Sequence, residues 1–108
     1  MKRLFEIEES RGRLGALEPD LRKALSLNGD SAFHHNWLAL VLERTGRQAG
    51  AEQEYRSALR SDPEHVSALV NLGSLVARRK EMDEAARLFR RALGRDPRSL
   101  EARVGLGA

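Results

Sequence analysis

The fold is decided by a nine-residue stretch that occurs twice: Tyr55-Arg56-Ser57-Ala58-Leu59-Arg60-Ser61-Asp62-Pro63 returns as Phe89-Arg90-Arg91-Ala92-Leu93-Gly94-Arg95-Asp96-Pro97. The copies are offset by 34 residues, the separation of Pro63 from Pro97. The same offset leads back to Leu21-Arg22-Lys23-Ala24-Leu25-Ser26-Leu27-Asn28-Gly29, which keeps the large residue, the Arg and the Ala-Leu pair. Three copies in one register predict an internal repeat, and a period of this length indicates a solenoid or a similar array.

The period and the residue types resemble the tetratricopeptide repeat (TPR), a helix–turn–helix unit of this length. That motif has a large residue, Leu-Gly, another large residue, Ala, an aromatic residue, a second Ala and a final Pro. One copy fills these positions with Leu69, Leu72-Gly73, Val76, Ala85, Phe89, Ala92 and Pro97. The preceding copy fills them with His35, Leu38-Ala39, Leu42, Ala51, Tyr55, Ala58 and Pro63. The resemblance is close from Ala32 to Pro97 and only partial in the flanking segments.

The resemblance implies an all-α protein: a right-handed superhelix of antiparallel helix hairpins, or TPR α-solenoid. We expect about three hairpins plus a C-terminal helix. Residues 1–108 would form a single TPR domain, with a degenerate repeat at 1–31, repeats at 32–65 and 66–99, and a partial repeat or capping helix at 100–108. Small residues such as Gly73 would let helices approach closely, and Tyr55 and Phe89 would fill the wedge between consecutive hairpins.

Turn and capping residues predict where the helices begin and end. Each Asp-Pro would end one helix and start the next, with Pro in its first turn and Asp as its cap. Pro19 would mark the start of the second helix for the same reason, and Asp30 would cap the third. The predicted helices are approximately Lys2–Arg11, Pro19–Asn28, Ser31–Arg44, Gln48–Ser61, Glu64–Arg79, Met82–Arg95 and a last one from Arg98, with a turn at Gly12–Gly15.

Composition suits a folded, helix-rich protein, with 41% hydrophobic, 32% charged and 5% aromatic residues. The absence of Cys excludes disulfides, thiolate metal sites and Cys nucleophiles. Adjacent His34 and His35 point about 100° apart on a helix, so they do not form a metal site. Without a phosphate-binding Gly loop or a nucleophile with its base, we expect no enzyme, no cofactor and no small-molecule substrate.

The N-terminal sequence begins like a signal peptide for three residues, but Glu6, Glu8 and Glu9 interrupt any apolar region that could follow. The longest apolar run, Trp37 to Leu42, is too short to span a membrane. We therefore expect a cytoplasmic protein that does not enter the membrane. The ragged repeat ends also leave open that the chain is a piece of a longer array.

The family resemblance places the first helix of each hairpin on the concave side. On the Ser31–Arg44 helix, Phe33, Trp37, Leu40 and Arg44 are spaced by four, three and four and share one stripe. The equivalent positions of the next repeat are Ser67, Asn71, Ser74 and Arg78. These eight residues form a predicted peptide- or protein-binding groove, with Asn71 bonded to peptide backbone and Arg44 and Arg78 facing a carboxylate.

Several alternatives remain open at this point. Trp37 could pack against the first repeat as a core residue, because its helix is apolar nearly all round. The chain, with net charge +3, carries an arginine stripe at Arg87, Arg91 and Arg95, which could contact nucleic acid or be a solvated surface. No aromatic residues interleave with that stripe, so nucleic acid is the less favoured partner. A homodimer could also form through the open helical ends.

One well-known group of TPR domains grips the C-terminal carboxylate of chaperone tails through Lys, Asn, Asn, Lys and Arg at set groove positions. Counted from the first repeat, those positions hold Lys2, Glu6, Trp37, Ser67 and Asn71, of which only Lys2 fits. Counted from the second repeat, they hold Asn36, Leu40, Asn71, Glu101 and Gly105, of which only Asn71 fits. We therefore expect no chaperone-tail binding of that kind.

Overall fold

The computed structural model of the chain describes residues 15–27 and 31–107, and within these residues it contains six helices and no strand. This confirms the all-α prediction. The helices, numbered along the chain, are α1 (15–27), α2 (Ala32–Arg44), α3 (Gln48–Ser61), α4 (Val66–Arg78), α5 (Met82–Arg95) and α6 (Leu100–Gly105). The predicted helix at Lys2–Arg11 lies outside the described residues.

Helices pack as consecutive hairpins. Helix α2 makes its most extensive contact with α3, and α4 with α5, while α3 and α4 form the smaller junction between these two hairpins. Helix α6 covers α5 and touches α4. Each helix therefore contacts near neighbours in the chain, which is the arrangement of a solenoid.

The core contains the small and aromatic residues that the repeat predicts. Ala51 and Ala58 of α3 and Ala92 of α5 are fully buried, and Ala85 is almost so. Tyr55 is likewise fully buried and Phe89 nearly so, and both belong to one continuous hydrophobic cluster.

Gly73 makes close packing of helices possible. A Cβ atom at this position would lie 2.9 Å from the Phe89 ring, which is closer than carbon atoms pack. Gly73 therefore lets α4 approach α5, as the sequence predicts.

The turns inside the two hairpins share one unusual backbone conformation. Gly46, between α2 and α3, has φ 87°, and Lys80, between α4 and α5, has φ 66°. These positions are 34 residues apart, so the repeat places a left-handed residue at the same point in each hairpin. Glycine adopts this conformation freely, whereas lysine does so at a cost.

The Asp-Pro pairs act differently from the sequence prediction. Pro63 and Pro97 lie in turns before the next helix rather than in its first turn. Asp62 and Asp96 are C-cap residues, and their Oδ1 atoms each accept a hydrogen bond 3.1 Å long from the backbone N–H two residues later. Short acidic side chains favour this local bond, so Asp-Pro builds the turn itself.

Two further helix starts also differ from expectation. The predicted start of a helix at Pro19 and the turn ending at Gly15 are wrong, because 15–27 is helical throughout. Proline fixes φ near a helical value and removes only one N–H donor, so the chain remains helical on both sides of Pro19. The cap of α2 is Ser31, whose Oγ accepts a hydrogen bond from the His34 N–H, whereas Asp30 lies outside the described residues.

An ion-pair network joins the two hairpins. Arg56 bonds Glu52 on its own helix, as the i, i+4 spacing predicts, and also reaches Glu84 of α5, with 2.7 Å to each carboxylate. Arg79, which follows the last residue of α4, also lies 2.7 Å from the Glu52 carboxylate. Hydrogen bonds from Arg79 and then Arg56 lower the pKa of the Glu52 carboxyl below its ordinary value.

Candidate peptide-binding groove

Helices α2 and α4 lie side by side and form the walls of an open groove. Asn36 contacts Asn71, and Glu43 contacts Arg78. Both pairs are 35 residues apart, which places the two helices parallel and in a fixed register. Two adjoining depressions of about 630 and 400 Å³ run along this seam.

All eight predicted groove residues line these two depressions. The larger one is bordered by Phe33, Trp37, Leu40, Arg44, Ser67 and Asn71, and the smaller one by Leu40, Arg44, Asn71, Ser74 and Arg78. Sequence spacing therefore selected residues that lie together in space.

The apolar part of the groove comes from α2. The side chains of Phe33 and Trp37 remain 58% and 41% exposed among the described residues. Their rings meet edge to face with centroids 6.4 Å apart, a favourable aromatic geometry. Leu40 is half-buried beside them. An apolar ligand side chain would therefore find an aromatic surface already in place.

A pair of amides lies in the middle of the groove. Asn71 Nδ2 donates a hydrogen bond 3.1 Å long to Asn36 Oδ1. An asparagine amide has two donor hydrogens and one acceptor oxygen. The pair therefore leaves N–H donors on Asn36 and the acceptor oxygen on Asn71 available. If both side-chain amides are rotated by 180°, the free donors lie on Asn71 and the free oxygen on Asn36, so the pair offers the same groups. This matches the N–H and C=O of a peptide backbone.

The two arginines at the C-terminal end of the groove differ in their contacts. Arg78 pairs with Glu43, whereas Arg44 is exposed and forms no ion pair or hydrogen bond among the described residues. Glu43 also accepts a bond 3.1 Å long from the Tyr55 hydroxyl. Burial, followed by the charge and hydrogen bond of Glu43, raises the pKa of Tyr55. Of these two groove arginines, Arg44 is thus the one without an ion pair in the described part of the chain.

The eight predicted residues leave out the acidic side of the groove. Asp96 and Glu101, together with Ser99, border the larger depression where α6 begins. Glu101 is exposed and unpaired within residues 15–27 and 31–107. The repeat itself contains the signal, because Phe33, Ser67 and Glu101 are successive positions at the 34-residue offset. Asn36 was likewise outside the eight predicted residues, although the comparison with the chaperone-tail clamp had placed both Asn36 and Glu101 at groove positions.

A second, almost wholly apolar cleft of about 360 Å³ lies between α1 and α2. Its walls include Leu17 and Leu21 of α1 and the other faces of Phe33 and Trp37. His34 also borders this cleft, and its Nδ1 atom is buried without a hydrogen-bond partner in the described part of the chain. The two aromatic residues thus separate the groove from this cleft.

The predicted arginine stripe lies on α5. Arg91 donates a hydrogen bond 2.8 Å long to the backbone oxygen of Pro63, and Arg95 lies 3.7 Å from Glu64. Two of the three arginines therefore hold consecutive repeats together, and Arg87 is exposed.

Histidine and acidic residues do not gather into a metal site in the described ranges. His35 instead contacts Glu54 through Nδ1, with 2.6 Å between the atoms. Within residues 15–27 and 31–107, no helix has the length and apolar character needed to cross a bilayer.

A family model described as tetratricopeptide repeat matches residues 11–64 and 49–99. Together, these matches cover most of the chain. The chain belongs to the tetratricopeptide-repeat family. This confirms the resemblance and, with the structures below, the TPR-solenoid fold.

Two solved TPR domains are similar to this TPR chain over most of their length. The TPR domain of Arabidopsis OM64 has a TM-score of 0.81 and 26% identity, with 87% of this chain and 78% of that domain covered. The second TPR domain of human RPAP3, determined in complex with the HSP70 peptide SGPTIEEVD, has a TM-score of 0.79 and 17% identity, with 91% and 82% covered. At the latter identity, the similarity concerns the fold alone.

Two curated relatives come from Pseudomonas aeruginosa. Type IV pilus assembly protein PilF is 36% identical over 74 residues, which are 68% of this chain and 29% of PilF. The probable biofilm formation methyltransferase WspC is 37% identical over 57 residues, which are 53% of this chain and 14% of WspC. The TPR chain thus matches less than a third of the length of either relative.

Proposed function

We propose that this TPR chain is a protein-interaction scaffold that binds a peptide segment of a partner protein between α2 and α4. One observation carries the proposal: the exposed rings of Phe33 and Trp37 lie beside the Asn36–Asn71 pair in a single groove. An apolar surface next to free backbone-like donors and acceptors suits a peptide, which presents both kinds of group.

The groove residues have distinct roles in this proposal. Phe33, Trp37 and Leu40 receive an apolar side chain, and Asn71 bonds the peptide backbone. Arg44 meets a carboxylate of the ligand. A second ligand carboxylate can bind Arg78 by displacing Glu43 from its ion pair. Ser67 and Ser74 supply hydroxyl groups along the α4 wall. Trp and Arg are also the residue types that most often dominate binding energies.

In this role the groove residues need no catalysis, metal or cofactor, and residues 1–108 act as one TPR domain in the cytoplasm. The chain is a docking unit and does not take the activity of any relative. The match to WspC covers 14% of that protein, so the methyltransferase activity in its name is not part of this proposal.

The test is a pull-down from native extract with the wild type and with two groove variants, Trp37→Ala and Asn71→Ala. Met82→Ala serves as the control, because Met82 is 59% exposed at the start of α5, outside both groove depressions. We expect the groove variants to lose at least one partner that the control retains. Retention of every partner by both groove variants would show that the groove is not the binding site.

A further inference from the structure

The groove has charges of opposite sign at its two ends. Arg44 is at the C-terminal end of α2, and Glu101 is at the start of α6, beside the beginning of α4. Both are exposed, and neither forms an ion pair with another described residue. The other arginine of the groove, Arg78, is paired with Glu43. Among the described residues, Arg44 is therefore an unneutralised cation at one end of the groove, and Glu101, with Asp96 beside it, gives the other end an unneutralised negative charge.

The repeat register gives the distance between these charges. Glu101 is equivalent to Phe33, two repeats away in the sequence, so it lies at the N-terminal level of the parallel helices. Arg44 follows Phe33 by eleven residues on α2. Since an α-helix rises about 1.5 Å per residue, the two positions differ by about 16 Å along the helix direction. Helix α4 lies between α2 and α6, and packed helices are about 9 Å apart, so the two charges are separated by about 24 Å in all.

The Asn36–Asn71 pair lies between these two charges and favours an extended ligand. A helical peptide has already used its backbone N–H and C=O groups within the helix. An extended peptide presents them outward, where the free donors of Asn36 and the free oxygen of Asn71 can bind them. An extended chain advances about 3.3 Å per residue, so about seven residues span the distance.

We infer that the preferred ligand is an extended peptide with an acidic and a basic side chain about seven residues apart and an apolar side chain between them. The acidic side chain meets Arg44, the basic one meets Glu101, with Asp96 nearby, and the apolar one lies on Trp37 and Leu40. This inference rests on the proposed function. It differs from binding of a purely acidic tail, because the negative wall at Glu101 and Asp96 repels a second carboxylate.

The test uses a displayed library of random twelve-residue peptides, selected on immobilised wild type, Arg44→Gln and Glu101→Lys. Both substituted side chains are exposed and unpaired among the described residues, so the fold is retained. On the wild type, we expect enriched peptides to carry the acidic–apolar–basic pattern. Selection on Glu101→Lys loses the basic residue and keeps the acidic one, whereas Arg44→Gln loses the acidic residue.

Synthetic copies of one enriched peptide then give the size of each contact. Exposed charge pairs contribute little individually, so each variant is expected to weaken binding about two- to five-fold, and added salt should reduce the difference. A charge-reversed peptide, with Lys and Glu exchanged, should bind the wild type more weakly than the original.

The outcomes separate this inference from the proposed function. Enriched peptides with the same charge pattern on all three proteins, or with no pattern, overturn the inference. The groove itself is then judged by Trp37→Ala, which must weaken the enriched peptides relative to Met82→Ala. Absence of any enriched peptide, or equal binding by these two variants, contradicts the proposed function and with it the inference.

Discussion

Phe89 and Gly105 are packed so closely that a Cβ atom on Gly105 would lie 2.5 Å from the Phe89 ring. Phe89 therefore lies against two glycines, Gly73 on α4 and Gly105 on α6. Helix α6 has only six residues, and so short a helix depends on packing for its stability. Helix α6 can take this position only because Gly105 has no side chain. The position of Glu101, at the start of α6, depends on Gly105 for the same reason.

Gly105→Ala should destabilise the protein by about 1–3 kcal/mol, because either Phe89 or α6 must move. Gly94→Ala is the matched control, since nothing lies within 4 Å of the Cβ position at Gly94 in helix α5. Alanine is the better helix former, so this control should gain up to about 1 kcal/mol. Urea unfolding of both variants measures the difference, and equal midpoints would contradict the packing argument.

Lys80→Gly should stabilise the protein by about 1 kcal/mol. Lys80 has a left-handed backbone that costs a non-glycine residue energy, and the equivalent Gly46 avoids this cost. Gly46→Ala should lower the free energy of unfolding for the same reason. Thermal unfolding of the two variants checks the prediction, and the same direction of change in both would show that backbone strain is not the cause.

Stability should fall in acid partly because of Glu52. Its pKa is lowered in the folded protein from an ordinary value of 4.5, so its contribution is present above that value and is lost as the pH falls through the folded pKa. Glu52→Gln should cost about 1 kcal/mol near neutral pH and less near pH 3. Unfolding measured against pH tests this, with Glu101→Gln as an unpaired control that should change little.

Tyr55 should resist ionisation while the protein is folded. It is the single tyrosine, and burial with the nearby Glu43 raises its pKa. The folded state therefore holds the phenol proton more tightly than the unfolded state, and stability falls as the pH rises above about 10. Absorbance of tyrosinate against pH should increase only with unfolding, and a reversible titration near pH 10 in the folded protein would contradict this.

Trp37, the single tryptophan, should be accessible to acrylamide in the free protein, because its side chain is 41% exposed. An enriched peptide should reduce this quenching and shift the emission to the blue. N-acetyltryptophanamide provides the fully exposed reference. A blue-shifted, quencher-resistant emission in the free protein would favour the alternative in which Trp37 is a core residue.

The repeat made much of this structure predictable. Helices α3 and α5 begin and end where the sequence indicated, because the 34-residue offset aligns their boundaries and their buried alanines. The capping residues were less accessible to prediction: Asp62 bonds locally instead of starting a helix, and Ser31 caps α2. Such choices depend on competing local hydrogen bonds of similar energy.

In the groove, spacing along α2 and α4 was sufficient to bring the eight predicted residues together. Glu101 was outside the predicted set, although the repeat count had placed it at a groove position, because the sequence alone did not show how α6 packs beside α4. The pairing of Arg78 with Glu43 was also missed, since residues 35 apart become neighbours only when the register of the two helices is known. The predictable part is periodic, and the rest depends on contacts between repeats.

The contacts between repeats join residues that are close in the sequence, and this affects how the chain folds. Among the described residues, the polar bonds between helices join positions no more than 35 apart, as in the Asn36–Asn71 pair. Loop closure is therefore inexpensive at every step, and no late event must bring distant ends together. Folding can begin in either complete hairpin and spread to its neighbour, so a kinetic intermediate would consist of whole repeats rather than of a loosened core.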